Sequence, residues 1–352
     1  MRVVVAMSGG VDSSAAAALV RDQGHEVIGI SLRLSRSEGR APGRCCSPDD
    51  LDDARAVADT LGIPFYVFEA SDLFSRTVVD PFVGAYLAGE TPIPCLACNR
   101  EVKFGHLLAR AEALGAQLAT GHYARIATGD DGVRRLYRGV DASRDQSYFL
   151  YELGQRELSR LVFPVGGLTK AESREVARRA GLPTADKPES QDICFVPDGD
   201  AAGFVARKAG GAGGAPAPGR IVTASGEVVG EHAGVHAYTV GQRKGLPAGF
   251  KLPIYVSEIR ADTNEIVVGP VGDIERTRFA VRDARWTVAP PPADEVLTVR
   301  VRHRHAGTPC TVAVAEGGFE VHALEPVRAP APGQAAVLYR GDEVVGGGTI
   351  AR

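Results

Sequence analysis

Residues 8–13, with the sequence Ser-Gly-Gly-Val-Asp-Ser, constrain the fold of this chain more than any other segment. They directly follow an apolar run at residues 3–7, and Ala15, Ala18 and Leu19 continue behind them with helical spacing. Two glycines let the backbone turn tightly against an anion, and the N-terminus of the next helix adds the positive end of its dipole. The pattern predicts a strand, a phosphate-binding turn and a helix, and therefore nucleotide chemistry.

The spacing of these glycines separates the loop from the common nucleotide-binding loops. No lysine follows them in the GxxxxGK[ST] pattern, which disfavours a kinase or GTPase. The segment resembles the SGGxDS loop of ATP pyrophosphatases, and this resemblance implies cleavage of ATP between its α and β phosphates with transfer of AMP to a substrate oxygen. The alternative is a glycine-rich turn that binds no ligand.

The first part of the chain alternates strand-like and helical patterns. Apolar runs at residues 27–32 and 65–68 flank a helical stretch that begins near Asp49 and Asp50 and ends at Gly62. Gln117–Thr120 is a further predicted strand. This is an α/β pattern with a parallel sheet, whose ligands bind at the carboxyl ends of the strands. Residues 8–13, Leu32 and Gly121 all fall there.

A chain of 352 residues is long for a single core. Residues 209–219 are almost entirely Gly, Ala and Pro and predict a linker, with a boundary near Pro197. Short β-rich runs follow at residues 265–268, 296–301 and 335–339, and three prolines at residues 290–292 indicate a second division. We predict a catalytic domain at residues 1–203, a small β-rich domain at 204–278 and a C-terminal β-barrel at 279–352.

Composition narrows the cellular setting. No apolar run is long enough to cross a membrane and no signal-peptide pattern is present, so we expect a cytoplasmic protein without a membrane partner. Six cysteines without regular spacing fit reduced thiols better than disulfides. Cys45 and Cys46 are interpreted as exposed loop residues, and Cys310 as strand packing.

Two cysteines stand in settings that favour chemistry. Cys98 precedes a predicted helix at residues 103–114, and Arg100 and Lys103 would stabilise its thiolate. Cys194 follows the Lys187-Pro188 turn, and neither cysteine has the pattern of a core strand. For each of them, an inert thiol is the alternative.

Several further motifs extend over nearly the whole chain. They are Thr91-Pro92-x-Pro94-x-x-x-Cys98-Asn99-x-x-x-Lys103-Phe104, Thr120-Gly121-His122-Tyr123-Ala124, Asp145-Gln146-Ser147-Tyr148, Ser190-Gln191-Asp192-x-Cys194-Phe195 and Tyr238-Thr239-x-Gly241-Gln242-Arg243-Lys244-Gly245. In this order and combination, with the loop at residues 8–13, they resemble the tRNA-specific 2-thiouridylase (MnmA) family. The resemblance implies ATP-dependent 2-thiolation of the wobble uridine in a tRNA anticodon loop. ATP and Mg²⁺ would be required, and a cysteine desulfurase or a sulfur-relay protein would donate the sulfur.

The same resemblance implies roles for individual residues. Cys98 would be the nucleophile and Cys194 would carry a persulfide. ATP would be held by Ala6, Met7, Ser8, Gly9, Gly10, Val11, Asp12, Ser13, Leu32 and Gly121. The tRNA would be contacted by Ile93, Pro94, Cys95, His122, Arg144, Asp145, Gln146, Arg302, His303 and Gln334.

Cys95 departs from the family pattern, in which many members carry Asp, and it leaves three interpretations open. Cys95, Cys98 and Cys194 could bind an iron–sulfur cluster with one open iron, Cys95 could have a redox role, or it could be a passive neighbour. No other metal site is predicted.

Two rival functions also fit the phosphate loop. One is another adenylating enzyme, such as a lysidine-type ligase or an amide synthetase, which the paired cysteines disfavour. The other is a non-catalytic, nucleotide-gated tRNA-binding protein. A net charge of −3 requires basic residues to be concentrated locally if tRNA binds, and the predicted candidates are Lys103, Arg144, Arg243, Lys244 and Arg302. Residues 302–305 alternate as in a strand, whereas the charged residues at 172–179 are interpreted as a solvated helix face.

Overall fold

The computed structural model describes residues 1–34, 48–188, 193–196, 199–211 and 217–352. Its strands are β1 (Arg2–Ala6), β2 (Glu26–Arg33), β3 (Phe65–Glu69), β4 (Gln117–Thr120), β5 (Ala124–Thr128), β6 (Arg134–Arg138), β7 (Leu161–Val162), β8 (Gly219–Thr223), β9 (Val228–His232), β10 (Tyr255–Arg260), β11 (Glu265–Gly269), β12 (Glu275–Trp286), β13 (Leu297–Arg300), β14 (Thr308–Ala315), β15 (Gly318–Arg328), β16 (Ala335–Arg340) and β17 (Glu343–Ile350).

The α-helices are α1 (Val11–Asp22), α2 (Pro48–Leu61), α3 (Ser71–Phe74), α4 (Asp80–Leu87), α5 (Pro94–Ala97), α6 (Leu108–Ala113), α7 (Gln155–Leu158), α8 (Lys170–Arg179) and α9 (Ala201–Gly211). Two wider π-helical segments, Ser75–Val79 and Cys98–Leu107, connect α3 to α4 and α5 to α6. None of the helices in the described part of the chain is long and apolar enough to cross a membrane.

The first domain is built on a parallel sheet in the order β3-β2-β1-β4-β7. Successive residues of β1 face opposite sides, so Val4 packs into one hydrophobic cluster while Val3 and Val5 pack into another. The predicted βαβαβ arrangement is confirmed, including the start of α2 at its acidic residues and its end before Gly62. Both faces of the sheet are therefore covered, as in other parallel sheets.

The helix that carries Cys98 begins earlier than the predicted 103–114. Pro94 occupies its first turn, where the fixed proline φ favours helix and the missing N–H costs no hydrogen bond. From there α5, the π-helical segment and α6 follow one another without a break. Cys98 consequently lies one turn inside the helix and Cys95 lies in its first turn.

The C-terminal strands confirm the predicted all-β architecture. β8–β11 form a four-stranded sheet in the order β10-β11-β8-β9. The other six strands follow the order β12-β15-β14-β13-β16-β17, and the pairing of β12 with β17 closes them into a barrel. The β5–β6 hairpin of the first domain adds to β17 and extends the same sheet, so that the two domains share hydrogen-bonded strands.

Three local predictions are wrong. The glycine- and alanine-rich linker begins later than expected, because α9 continues through Gly211. The prolines at residues 290–292 lie between β12 and β13, which belong to one barrel and therefore mark no division. Residues 302–305 form a turn closed by the amide of His305 donating to the Arg302 carbonyl, so the alternating pattern there belongs to a loop. Cys45, Cys46, residues 190–192 and Pro197 lie outside the described residues.

Candidate active site

The loop at residues 8–13 has the geometry of an anion-binding turn. Gly9 has a φ of +71°, and a Cβ atom there would lie 2.1 Å from the carbonyl oxygen of Asp50. Gly10 is the N-cap of α1 in extended conformation, and the hydroxyl of Ser13 donates back to the Gly10 carbonyl at 2.9 Å. Glycine is thus required at position 9 both by conformation and by space. The loop delivers the N-terminus of a twelve-residue helix to the end of β1.

Gly121, at the end of β4, closes the other side of this turn. A Cβ atom there would lie 2.7 Å from both the carbonyl carbon of Asp12 and the amide nitrogen of Ser13. The end of β4 is therefore in backbone contact with the first turn of α1. This is the position at which ligands bind in parallel sheets.

The carboxylate of Asp12 is held by two partners from distant segments. The Lys170 Nζ donates to its two oxygens at 2.7 and 2.9 Å, and the Tyr123 hydroxyl donates to Oδ1 at 2.8 Å. Lys170 is buried, whereas about a third of the Asp12 side chain remains exposed. The pair therefore places a cation and an anion together at the edge of the loop.

A second lysine lies on the opposite side of the loop. The Lys187 Nζ donates to the Gly9 carbonyl at 3.0 Å and to Asp50 Oδ1 at 2.6 Å, and it also contacts Asp53. Partial burial disfavours the charged amine, but the hydrogen bonds to the two carboxylates outweigh it and raise the pKa of Lys187. Lys187 therefore stays protonated beside the loop.

The loop opens into a cavity of about 1350 Å³ that extends to the C-terminal barrel. Its wall includes the predicted ATP residues Ala6, Met7, Ser8, Gly10, Val11, Asp12, Ser13, Leu32 and Gly121, together with Cys95, Cys98, Lys103, His122, Arg144, Asp145, Gln146 and His303. The remaining predicted site residues lie outside this wall, namely Gly9, Ile93, Pro94, Cys194, Arg243, Lys244, Arg302 and Gln334. Gly9 nevertheless forms the turn itself.

The two predicted catalytic cysteines differ in their position relative to the cavity. Both are half-buried and pack against one hydrophobic cluster. Cys98 also lines the cavity, whereas Cys194 does not. Phe195, next to Cys194, is held in an aromatic group with ring centroids 5.6 Å from Phe74, 5.2 Å from Phe82 and 5.4 Å from Phe204.

The structure gives no support for the predicted iron–sulfur site, which stays a prediction. In the segments that the structure describes, no three His, Cys, Asp or Glu side chains converge on a point where a metal ion could be held. Cys95 and Cys98 line the cavity, whereas Cys194 does not. Cys310 is confirmed as strand packing, and burial raises the pKa of its thiol to about 12.

His122 is a neutral imidazole in the cavity wall. Burial and, to a smaller extent, the nearby Lys103 cation lower its pKa well below the usual value. Lys103 Nζ lies 3.4 Å from Nε2, and Thr120 Oγ1 lies 2.7 Å from Nδ1. Because an ammonium only donates, Nε2 accepts from Lys103 and the proton is assigned to Nδ1, which donates to Thr120.

Three of the residues predicted to contact tRNA use their side chains for hydrogen bonds or ion pairs within the protein. Asp145 is buried, accepts from the amides of Gly139 and Ser147, and forms an ion pair with Arg300 at 3.3 Å. The Gln146 side chain accepts from the amide of Tyr123. The side chain of Gln334 donates to the Thr91 carbonyl at 2.6 Å. Asp145 and Gln146 therefore shape the wall of the cavity, whereas Gln334 lies outside it.

Lys170 and Lys187 are the residues that the sequence analysis missed. The Thr169…Glu172 capping box marks the start of α8, and Lys170 is its first residue. A cation is unfavourable at a helix N-terminus. A lysine at the first helical position therefore indicates that its side chain pairs with an anionic group outside the helix. Glu172, Glu175, Arg178 and Arg179 are exposed as predicted, but Arg174 donates to the carbonyls of Ala185 and Lys187.

Three family models match consecutive parts of the chain. They are described as a tRNA methyl transferase HUP domain at residues 1–198, a tRNA methyl transferase PRC-barrel domain at residues 212–270 and an aminomethyltransferase β-barrel domain at residues 276–350. The exact predicted domain boundaries stay a prediction.

Curated relatives match over almost the whole chain. A tRNA-specific 2-thiouridylase MnmA of Geobacter metallireducens is 47% identical over 357 residues, covering 99% of this chain and 96% of the relative. Proteins of the same name from Rhodospirillum centenum and Chloroflexus aurantiacus are each 49% identical. They cover 100% and 99% of this chain, and 92% and 98% of their own lengths.

Proposed function

Because the chain belongs to the tRNA-specific 2-thiouridylase (MnmA) family, we propose that it replaces the C2 oxygen of the wobble uridine of tRNA with sulfur in an ATP-dependent reaction. One observation carries the proposal. The phosphate-binding loop and Cys98 line the same cavity. A nucleotide-activated base held there would have both its leaving group and a thiol within one enclosure.

The first step activates the base. The C2 oxygen of uridine attacks the α-phosphorus of ATP, an O–P bond forms, and the bond to the β-phosphate oxygen breaks to release pyrophosphate. The loop amides, the N-terminus of α1 and the two lysines beside the loop would stabilise the charge of the phosphates. Mg²⁺ suits the oxygen ligands of the triphosphate and Asp12, and when bound it would supply further charge neutralisation.

The second step transfers sulfur. The terminal sulfur of a persulfide on Cys194 attacks C2, a C–S bond forms, and AMP leaves. The Cys98 thiolate then attacks the Sγ of Cys194, which breaks the S–S bond, leaves the sulfur on the base and forms a Cys98–Cys194 disulfide. An external thiol reduces this disulfide, and a sulfur-donor protein reloads Cys194. The common packing of both cysteines against one hydrophobic cluster supports this pairing.

Recognition of tRNA would involve both domains. Cys95, His122, Arg144 and His303 line the cavity and would surround the target nucleotide, which must be unstacked to enter. Asp145 and Gln146 would hold the cavity wall in place, Gln334 would hold the segment at Thr91, and Ile93 and Pro94 would position the start of the helix that carries Cys98. Outside the cavity, the exposed residues Arg243, Lys244 and Arg302 would contact phosphates.

The experiment supplies the purified protein with ATP, Mg²⁺, a persulfide donor and tRNA, and measures tRNA nucleosides by mass spectrometry. We expect 2-thiouridine, AMP and pyrophosphate. Cys194→Ser should fail to take up the extra sulfur atom, whereas Cys98→Ser should load it but fail to transfer it. Cys310→Ala, in the core of the barrel, is the matched control and should retain thiolation.

Two results would overturn parts of this proposal. A persulfide found on Cys98 alone would reverse the roles of the cysteines. Release of AMP and pyrophosphate without any thiolated nucleoside would remove sulfur transfer from the proposed reaction.

A further inference from the structure

The cavity is positively charged although the chain has a net charge of −3. Its wall contains eight lysines and arginines but only four aspartates. Each of these aspartates forms an ion pair with one of the cations. The pairs are Asp12 with Lys170, Asp50 with Lys187, Asp145 with Arg300 and Asp342 with Arg125. The carboxylates therefore leave a net positive charge that suits a polyanionic ligand.

Arg138, at the end of β6, is one of the cavity cations that no carboxylate of the described residues neutralises. Its guanidinium lies over the ring of Tyr339, with the Cζ atom 4.3 Å from the ring centroid. Among the described residues its guanidinium takes part in no hydrogen bond or ion pair, and its Nε atom is buried without a partner. Buried donors of this kind are almost always satisfied, so a missing acceptor requires an explanation.

The position of Arg138 is fixed by its backbone. Its amide donates to the Asp342 carbonyl at 2.9 Å, and its own carbonyl accepts from Arg125 Nε at 2.8 Å. The Tyr339 ring, which belongs to the barrel, supports the guanidinium plane. The side chain is therefore preorganised, which lowers the entropy cost of binding a planar or tetrahedral anion.

We propose that Arg138 binds a phosphodiester group of the RNA substrate, next to the nucleotide that enters the cavity. This inference rests on the proposed function. The RNA backbone is favoured over the ATP triphosphate because Arg138 shares the Tyr339 ring with Arg300, on the barrel side. The phosphate-binding loop already has two cations beside it, Lys170 and Lys187.

The test compares Arg138→Gln with Arg134→Gln. Arg134 lies on the same strand but outside the cavity, and its hydrogen bonds to Gln155 come from its backbone, so its side chain is a matched control. Dissociation constants for tRNA are measured at several salt concentrations, and ATP binding is measured by calorimetry without tRNA. We expect Arg138→Gln to weaken tRNA binding by about tenfold and to reduce the slope of log affinity against log salt by about 0.7–0.9. Its ATP affinity should be unchanged.

A second variant distinguishes loss of a phosphate contact from loss of folding in Arg138→Gln. Arg138→Lys keeps the charge but loses the fork of donors, and it should retain the salt slope while binding tRNA more weakly than the wild type. An unchanged tRNA affinity and slope in Arg138→Gln would overturn the proposal, and an equal loss of ATP affinity would assign the residue to the triphosphate instead. Wild-type protein that binds no tRNA would overturn the proposed function and this inference with it, whereas weakening confined to Arg138 variants would support both.

Discussion

At the scale of single residues, Asp12 is the clearest link between the sequence motif and the proposed chemistry. Its carboxylate is shared by Lys170 and Tyr123, yet about a third of the side chain is exposed to the cavity. A partly exposed carboxylate beside an ammonium forms a site for a metal-bound phosphate, because each charge can find a partner of opposite sign on the ligand.

Asp12→Asn should reduce pyrophosphate release by on the order of 100-fold, since it removes a charge without removing volume. The assay is tRNA-dependent pyrophosphate release at saturating ATP. Asp22→Asn is the control, because Asp22 ends the same helix, is exposed and, within the described segments, pairs only with the adjacent Arg21. Equal turnover in both variants would remove Asp12 from the phosphate site.

At the scale of elements, the strand–loop–helix unit depends on backbone positions that only glycine can occupy. Gly9 combines a positive φ with a close approach to α2, through the carbonyl of Asp50. Gly24 also has a positive φ, of +80°, but nothing lies within 4 Å of a Cβ atom placed there. A comparison of Gly9 with Gly24 therefore separates the cost of a positive φ from the cost of a steric clash.

Gly9→Ala should lose ATP binding and destabilise the first domain by more than the strain of about 1–3 kcal/mol that a positive φ imposes. The excess arises because the methyl group would displace Asp50, and with it Lys187. Gly24→Ala should show only the strain and should bind ATP normally. Calorimetric ATP titration with thermal unfolding measures both effects, and similar ATP affinities in the two variants would contradict the prediction.

At the scale of the whole molecule, a buried ion pair joins the catalytic domain to the barrel. Arg300, at the end of β13, pairs with Asp145 and also donates to the carbonyls of His303 and His305. The His303 ring in turn lies 4.7 Å from that of Phe149. The barrel loop that lines the cavity is thus fixed by contacts to the catalytic domain, so the site is complete only when both domains are docked.

Arg300→Met should destabilise the barrel by about 3–5 kcal/mol, because it leaves the buried Asp145 carboxylate without its cation. Trp286, the single tryptophan of the chain, lies on β12 and reports barrel unfolding by fluorescence during urea denaturation. Arg302→Met is the control, since Arg302 is exposed, and it should stay within about 0.5 kcal/mol. Coincident unfolding curves for both variants would show that the ion pair does not stabilise the docked barrel.

The local units of the fold and their order follow from the pattern of amino acids alone. Period-two and helical patterns indicated β1, α1, β2, α2 and the C-terminal strands, because these patterns follow from the backbone geometry of each element. The glycines of the loop indicated the phosphate turn for the same reason. The loop, Leu32 and Gly121 could be assigned to one site because the carboxyl ends of parallel strands meet at one edge, whereas only the family resemblance assigned Cys98 to it.

The side chains from distant segments that complete the site could be identified only from the folded chain. Lys170 and Asp12 are 158 residues apart, and Arg300 and Asp145 are 155 residues apart. No local pattern encodes such pairs, because ion pairing over these separations depends on how the domains dock and not on the conformation of either segment. The position of Arg138 follows the same rule, since its ring partner Tyr339 is supplied by the barrel strand β16.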